Sequence, residues 1–149
     1  MEWTDVVDNP LLQDLPFKIE LNKWGKILMS PASNNHGNLQ FKVGNLINSA
    51  KHNGEIIMEC SINTPKSVKV ADVAWASDKF IAQHGFNTPY EFAPEICVEI
   101  ICPSNSTKEM DEKIKLYLKQ GAKEVWLCNQ DGDISYYSQS GKLDNSLEI

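Results

Sequence analysis

The chain contains no arginine: all 14 of its basic residues are lysine, set against 9 aspartates and 11 glutamates for a net charge of −6. That balance excludes a simple DNA-coating protein, which works through clustered cations and uses arginine as its bidentate reader of phosphate and guanine. A genome biased toward lysine codons is a second explanation of the same absence. No apolar run approaches 18 residues, so nothing reads as a membrane span. The N-terminal MEWTDVVDNP carries acid where a signal peptide would carry base followed by an apolar stretch. These absences lead to the expectation of a cytoplasmic protein. Cysteine is sparse. Cys60, Cys97, Cys102 and Cys128 form no CxxC pair and lie in or beside apolar runs. They read as reduced thiols of a core rather than as zinc ligands or disulfides.

With 149 residues, the chain is expected to form a single domain over 1–149, large enough to bury a core without staples. Asn9-Pro10 reads as a cap with proline at the first helical position of a short helix. Residues 17 to 22 alternate apolar and polar, as a half-buried strand does, with Phe17, Ile19 and Leu21 inward. Residues 26 to 30 return as the second arm of a hairpin. Ser33 caps a long helix to about His52, with Leu39, Val43, Leu46, Ile47 and Ala50 as its apolar stripe. Residues 55 to 60 and 67 to 75 read as strands and residues 77 to 85 as a short helix. Ile96 to Cys102 is nearly all apolar, as in a central strand buried on both faces. Ser106-Thr107-Lys108-Glu109 forms a capping box for a helix running to Gln120 and ending at Gly121. Residues 124 to 129 and 133 to 138 make a last hairpin around Asp131-Gly132. The expected class is α/β, a mixed sheet with flanking helices and an N-terminal β-hairpin.

Charge is unevenly spread. Residues 17 to 53 carry net +4, between an N-terminal stretch (1 to 15) and a C-terminal stretch (124 to 149) of net −4 each. The middle segment reads either as a basic patch for a polyanion or as a solvated lysine face. Two acids interrupt strands. Asp72 lies between Val70 and Val73, and Glu99 between Val98 and Ile100. A buried carboxylate is costly to ionise unless it is paired or binds a metal. Either acid alone is more often structural. Together they suggest an oxygen-ligand site for Mg²⁺. The helix after Glu99 buries Met110, Ile114 and Tyr117, and Lys113 flanks that stripe while Lys108, Lys115 and Lys119 point away. Lys113 is therefore placed either to lean toward the sheet or to snorkel past its edge.

The runs VADVAW (70–75), PEICVEIICPSNSTKEMDEKIKLYLKQGAKEVWLCN (94–129) and FKIELNKWGKILMSPASNNHG (17–37) resemble, in order and spacing, the Uma-two family ("putative restriction endonucleases") of the PD-(D/E)xK nuclease superfamily. The resemblance covers about residues 17 to 138. It implies a restriction-endonuclease-like core and a Mg²⁺ site from Asp72, Glu99 and the backbone carbonyl of Ile100. It implies a catalytic set of Asp72, Glu99 and Lys113, with Glu20 and His36 in supporting positions. Nucleic acid, DNA first, is the implied partner. Three positions depart from the pattern. Ala71 replaces a proline, Cys102 replaces a serine, and Ile101 stands where the superfamily places a lysine. Glu99 and Ile101 face the same side of the strand, so the usual cation is missing there and Lys113 would supply it from the helix. The expected function is Mg²⁺-dependent hydrolysis of nucleic-acid phosphodiesters with low intrinsic sequence specificity. The alternative is a nuclease-like module that binds or assembles without cutting, with a homodimer compatible with either.

Overall fold

The computed structural model describes residues 1–15 and 17–149, apart from the side chains of Phe17, Ser30 and Pro31. The inward position expected of Phe17, and the Ser30-Pro31 pair of the family-like stretch, therefore lie outside the described side chains.

A short helix, α1 (Trp3–Val7), opens the chain, and a single 3₁₀ turn follows at Pro10–Leu12, capped by Asn9. Strands β1 (Phe17–Leu21) and β2 (Ile27–Pro31) pair as an antiparallel hairpin of their own. Helix α2 (Asn34–Lys51) starts where the Ser33 hydroxyl accepts the amide of His36, and ends at left-handed His52. Strands β3 (Glu55–Asn63) and β4 (Val68–Ala76), helix α3 (Asp78–His84), strand β5 (Ile96–Ile100), helix α4 (Thr107–Lys119), and strands β6 (Glu124–Cys128), β7 (Ile134–Ser138) and β8 (Gly141–Leu143) complete the fold. The main sheet has six strands in the order β3-β4-β5-β6-β7-β8. Among the described strands of this sheet, β5 and β6 are the neighbours that run parallel, because α4 crosses between them.

Alternation within the strands sorts the core into two layers. Val73, Trp75, Ile96, Val98, Ile100 and Trp126 face α2, where Leu39, Val43 and Ile47 meet them. Ala74, Cys97, Val125 and Leu127 face α3 and α4, against Phe80, Met110, Ile114, Tyr117 and Leu118. Gly44 lets α2 approach β3, since a Cβ there would meet Met58 Cε at 2.9 Å. The hairpin packs Ile19, Leu21 and Ile27 on Val68 and Val70 of β4, joined by Trp3 and Val6 of α1.

Several expectations shift. Leu46 and Ala50 of the α2 stripe are exposed, because the contact face narrows to Leu39, Val43, Gly44 and Ile47. β3 runs three residues past its expected end, and β5 stops at Ile100. Ser106 caps α4 through the Glu109 amide, but the Glu109 carboxylate accepts from Asn105 Nδ2. The basic segment is not one patch. Lys18 turns inward, Lys51 pairs with Glu148 and lies over Trp75, and Lys23 lies over Trp24. All four cysteines are free thiols, three of them buried. Among the described residues no helix is long and apolar enough to cross a membrane.

Candidate active site

The site forms where the two ladders on either side of β4 both open at one residue. The β3–β4 pairing passes from Met58–Val73 to Cys60–Ala71, leaving Glu59 and Asp72 opposite one another without a ladder bridge. The β4–β5 pairing reaches Val73–Val98, and one more step of that register sets Asp72 across from Glu99. Glu59, Asp72 and Glu99 thus lie in a row across three strands. Glu59 takes a left-handed backbone (φ +54°), which few residues other than glycine adopt without strain. Gln40 of α2 stitches the opening by donating Nε2 to the Asp72 carbonyl at 2.7 Å and to Glu59 Oε1 at 2.8 Å.

Asp72 is 1 % exposed and Glu99 2 %. Each is pinned through one oxygen. The Ile100 amide donates to Asp72 Oδ2 at 2.7 Å, and the Tyr117 hydroxyl donates to Glu99 Oε1 at 2.7 Å. Their other oxygens converge on Lys18, whose Nζ is 3.1 Å from Asp72 Oδ1 and 3.0 Å from Glu99 Oε2. Lys113 reaches the same Glu99 oxygen at 3.4 Å and Glu20 Oε1 at 3.1 Å. Glu20 also accepts the Val70 amide at 3.2 Å, which ties the hairpin to β4. His36, in the first turn of α2, places Nε2 3.3 Å from Asp72 Oδ1 and Nδ1 3.5 Å from Cys102 Sγ. Apart from the fully buried Tyr117, these side chains line a cleft of about 820 Å³ that α1 and the hairpin border.

The electrostatics follow from burial working against close opposite charge. Burial alone would lower the Lys18 pKa, but Glu99, Asp72 and Glu20 raise it well above the ordinary lysine value. Lys113 behaves likewise, through Glu99 and Glu20. Burial would raise Asp72, yet Lys18, His36 and the Ile100 amide hold it well below the usual carboxylate range. Glu99 is the reverse case: burial prevails over Lys113 and Lys18, and its pKa is raised.

The structure brings together Asp72, Glu99, Lys113, Glu20 and His36, and at Ile100 it is the amide, not the expected carbonyl, that contacts Asp72. Lys113 leans toward the sheet rather than snorkelling out. Sequence reasoning missed Lys18, Glu59, Gln40 and Tyr117. Lys18 had a usable signal, since it shares a strand side with Glu20 at a spacing of two. Tyr117 read as core, which it is, and its hydroxyl adds the polar contact.

A family model, Uma2, described as "Putative restriction endonuclease", matches residues 10–146. The chain belongs to the Uma2 family. A crystal structure of "a putative nuclease belonging to DUF820" from Anabaena variabilis ATCC 29413 is similar to this Uma2 chain, with a TM-score of 0.70 at 21% sequence identity. The match covers 84% of this chain and 74% of that one. At that identity the likeness establishes the shared fold. No curated protein matches the chain.

The donor set fits a hard divalent cation. Asp72 Oδ1 is buried between Lys18 Nζ at 3.1 Å and His36 Nε2 at 3.3 Å, and the oxygens of Asp72 and Glu99 already share one cationic group in Lys18. Five carboxylates line this cleft: Glu20, Glu59, Asp72, Glu99 and Glu109. Among the described residues, the lysines within 4.0 Å of Glu20, Asp72 or Glu99 are Lys18, Lys69 and Lys113.

Proposed function

We propose that this Uma2 protein hydrolyses phosphodiester bonds of nucleic acid, DNA first, using Mg²⁺ held by Asp72, Glu99 and the Ile100 carbonyl. The observation that carries the reading is the convergence of Asp72 Oδ1 and Glu99 Oε2 on one ammonium group, which stands in for a shared hard cation. Bound Mg²⁺ would lower the pKa of the attacking water and offset charge on the phosphate.

The protein's own residues have distinct tasks. The Ile100 amide fixes Asp72 and the Tyr117 hydroxyl fixes Glu99, so each carboxylate presents one oxygen to the cleft. Lys113, oriented by Glu20, supplies the positive charge that Ile101 cannot. Lys18 adds a second ammonium on the same side. Both stay protonated at neutral pH, because the surrounding carboxylates raise their pKa values. Without arginine, base reading by this chain is weak, so cleavage has low intrinsic sequence specificity or is directed by a partner. The free thiols suit the reducing cytoplasm.

Nicking of supercoiled plasmid by purified protein in Mg²⁺ tests the reading. Asp72→Ala should abolish cleavage while the protein stays folded. Full cleavage by that variant would overturn it.

A further inference from the structure

Beside the cleft lies a smaller cavity of about 180 Å³, and Trp3, Val7 and Glu59 line both. We propose that this cavity is a subsite for one unstacked nucleobase of a single-stranded or locally unpaired nucleic acid, held beside the phosphate that the cleft would cleave. The proposal rests on the nuclease reading of the cleft and names the form of its substrate.

Four observations carry this. The first is place. Glu59 bounds the small cavity, and one of its carboxylate oxygens lies within 4.8 Å of an Asp72 oxygen. A base seated there belongs to a nucleotide at or next to the scissile phosphate. The second is size and charge. Pockets for whole drug-sized ligands hold about 300–1,000 Å³, so 180 Å³ takes a flat ring rather than a complete nucleotide. No lysine is among the described residues that line it, whereas Lys18 and Lys113 line the cleft. Phosphate is thus drawn to the ammonium groups and the base to the aromatic side.

The third is Phe86, which is 67% exposed at the cavity wall, directly after Gly85 with its positive φ. An exposed ring beside a cavity is a stacking platform, and stacking tolerates any base because every base has a π-face. Tyr90 of the same cavity is buried and fixed. Its hydroxyl donates to the Gly85 carbonyl at 2.6 Å, and its ring meets Phe80 edge-on. Asn87 and Thr88 add an amide and a hydroxyl, groups that pair with a base edge. The fourth is Trp3. Its ring is buried between the two cavities, and among the described residues its Nε1 has no hydrogen-bond partner. Buried N–H groups are almost always paired, and an oxygen of the bound nucleotide would supply the acceptor.

A base inside a duplex is stacked on both faces and paired at its edge, so it must leave the stack to enter such a cavity. Asp72 and Glu99, 1 % and 2 % exposed, also demand a strand that can bend down into the cleft. Negative supercoiling favours local opening of a duplex, so nicking of supercoiled plasmid fits a substrate of this form.

Fluorescence anisotropy of fluorescein-labelled oligothymidylate titrated with the full chain tests the subsite. Ca²⁺ replaces Mg²⁺, and a gel of the oligonucleotide after each titration checks that it stays whole. The single strand should bind about tenfold tighter than the same strand annealed to oligoadenylate. Phe86→Ala and Phe86→Leu should each weaken single-strand binding about tenfold, as loss of one stacked base does, and Phe86→Tyr should bind as the wild type does. Phe41→Ala removes a similarly exposed ring that lines neither cavity and should change nothing. Oligouridylate in place of oligothymidylate separates an RNA strand from a DNA strand, and Phe86-dependent binding of either supports the subsite. Equal affinity for single strand and duplex, or wild-type affinity in Phe86→Ala, would overturn the proposal. An equal loss in Phe41→Ala would show general adsorption to apolar surface and overturn it as well. Cleavage that ignores both strandedness and Phe86 would remove the subsite and leave the nuclease reading. Phe86-dependent single-strand binding by a protein that never cleaves would leave the subsite standing and remove only the nuclease reading.

Discussion

Lys18 Nζ and Asp72 Oδ1 meet at 3.1 Å across the junction between the N-terminal hairpin and the main sheet. The lysine side chain is 12% exposed and the aspartate 1%, so the pair is screened little by water. Removing one partner of such a pair strands the other charge in a low-dielectric site. Lys18→Met should therefore lower stability by about 3 kcal/mol in urea denaturation, the usual cost of breaking a buried pair. An unchanged midpoint would mean that the ammonium is not holding the hairpin on the sheet.

Tyr117→Phe deletes one hydroxyl from an otherwise intact core position. Its hydrogen bond to Glu99 Oε1 is 2.7 Å long and fully buried. Hydrogen bonds to charged groups contribute about 1.5–3 kcal/mol, and the variant should lose an amount in that range. The same denaturation experiment reads it. A loss under about 0.5 kcal/mol, typical of neutral surface changes, would show Glu99 protonated and indifferent to the hydroxyl.

Much of this architecture was legible because local chemistry and global fold agree. Ser33, Ser77 and Ser106 each cap the helix that follows, and the run Ile96 to Ile100, apolar except at Glu99, lies centrally in the sheet. Asp72 and Glu99 stood out because each breaks an apolar strand. Lys113 stood out because helical spacing put it beside a buried stripe. Other features depend on register, which the sequence does not display. Glu59 faces Asp72 only because the β3–β4 turn sets the register that pairs residues 55 and 76. Lys18 reaches Glu99 across 81 positions, a contact set by how the hairpin docks. Helix α1 has one turn and a half, too short for a periodic signal. Leu46 satisfied the helical stripe yet lies exposed, since Gly44 brings α2 close along a narrower line.

Glu59 carries backbone strain in the lining of the cleft. Its left-handed φ of +54° costs about 1 kcal/mol for a residue with a Cβ. Glu59→Gly relieves that strain, partly offset by glycine's greater freedom in the unfolded chain. The variant should be about 0.5 kcal/mol more stable in chemical denaturation. Destabilisation of more than about 1 kcal/mol would show that the Gln40 contact outweighs the backbone term.

Acid stability should carry the signature of Asp72. Burial would raise its pKa, but Lys18, His36 and the Ile100 amide hold it below the ordinary value of 3.8. A carboxyl depressed on folding contributes its full stability above the unfolded value and loses it as pH falls through the folded one. Between about pH 5 and about pH 2, the wild type should therefore lose stability more steeply than Asp72→Asn. The Asp72 charge itself raises the Glu99 pKa, so the difference between the two curves reports Asp72 together with its effect on Glu99. Parallel curves would show that Asp72 has the same proton affinity folded and unfolded.

The central claim is that Asp72 and Glu99 hold a divalent cation that cuts nucleic acid. The most direct measurement is cleavage of supercoiled plasmid by metal-stripped protein as Mg²⁺ is restored, run beside Glu99→Gln. The account predicts no nicking in EDTA, recovery as Mg²⁺ is added to the wild type, and no recovery in Glu99→Gln. Equal cleavage by both proteins, or cleavage that persists in EDTA, would contradict it.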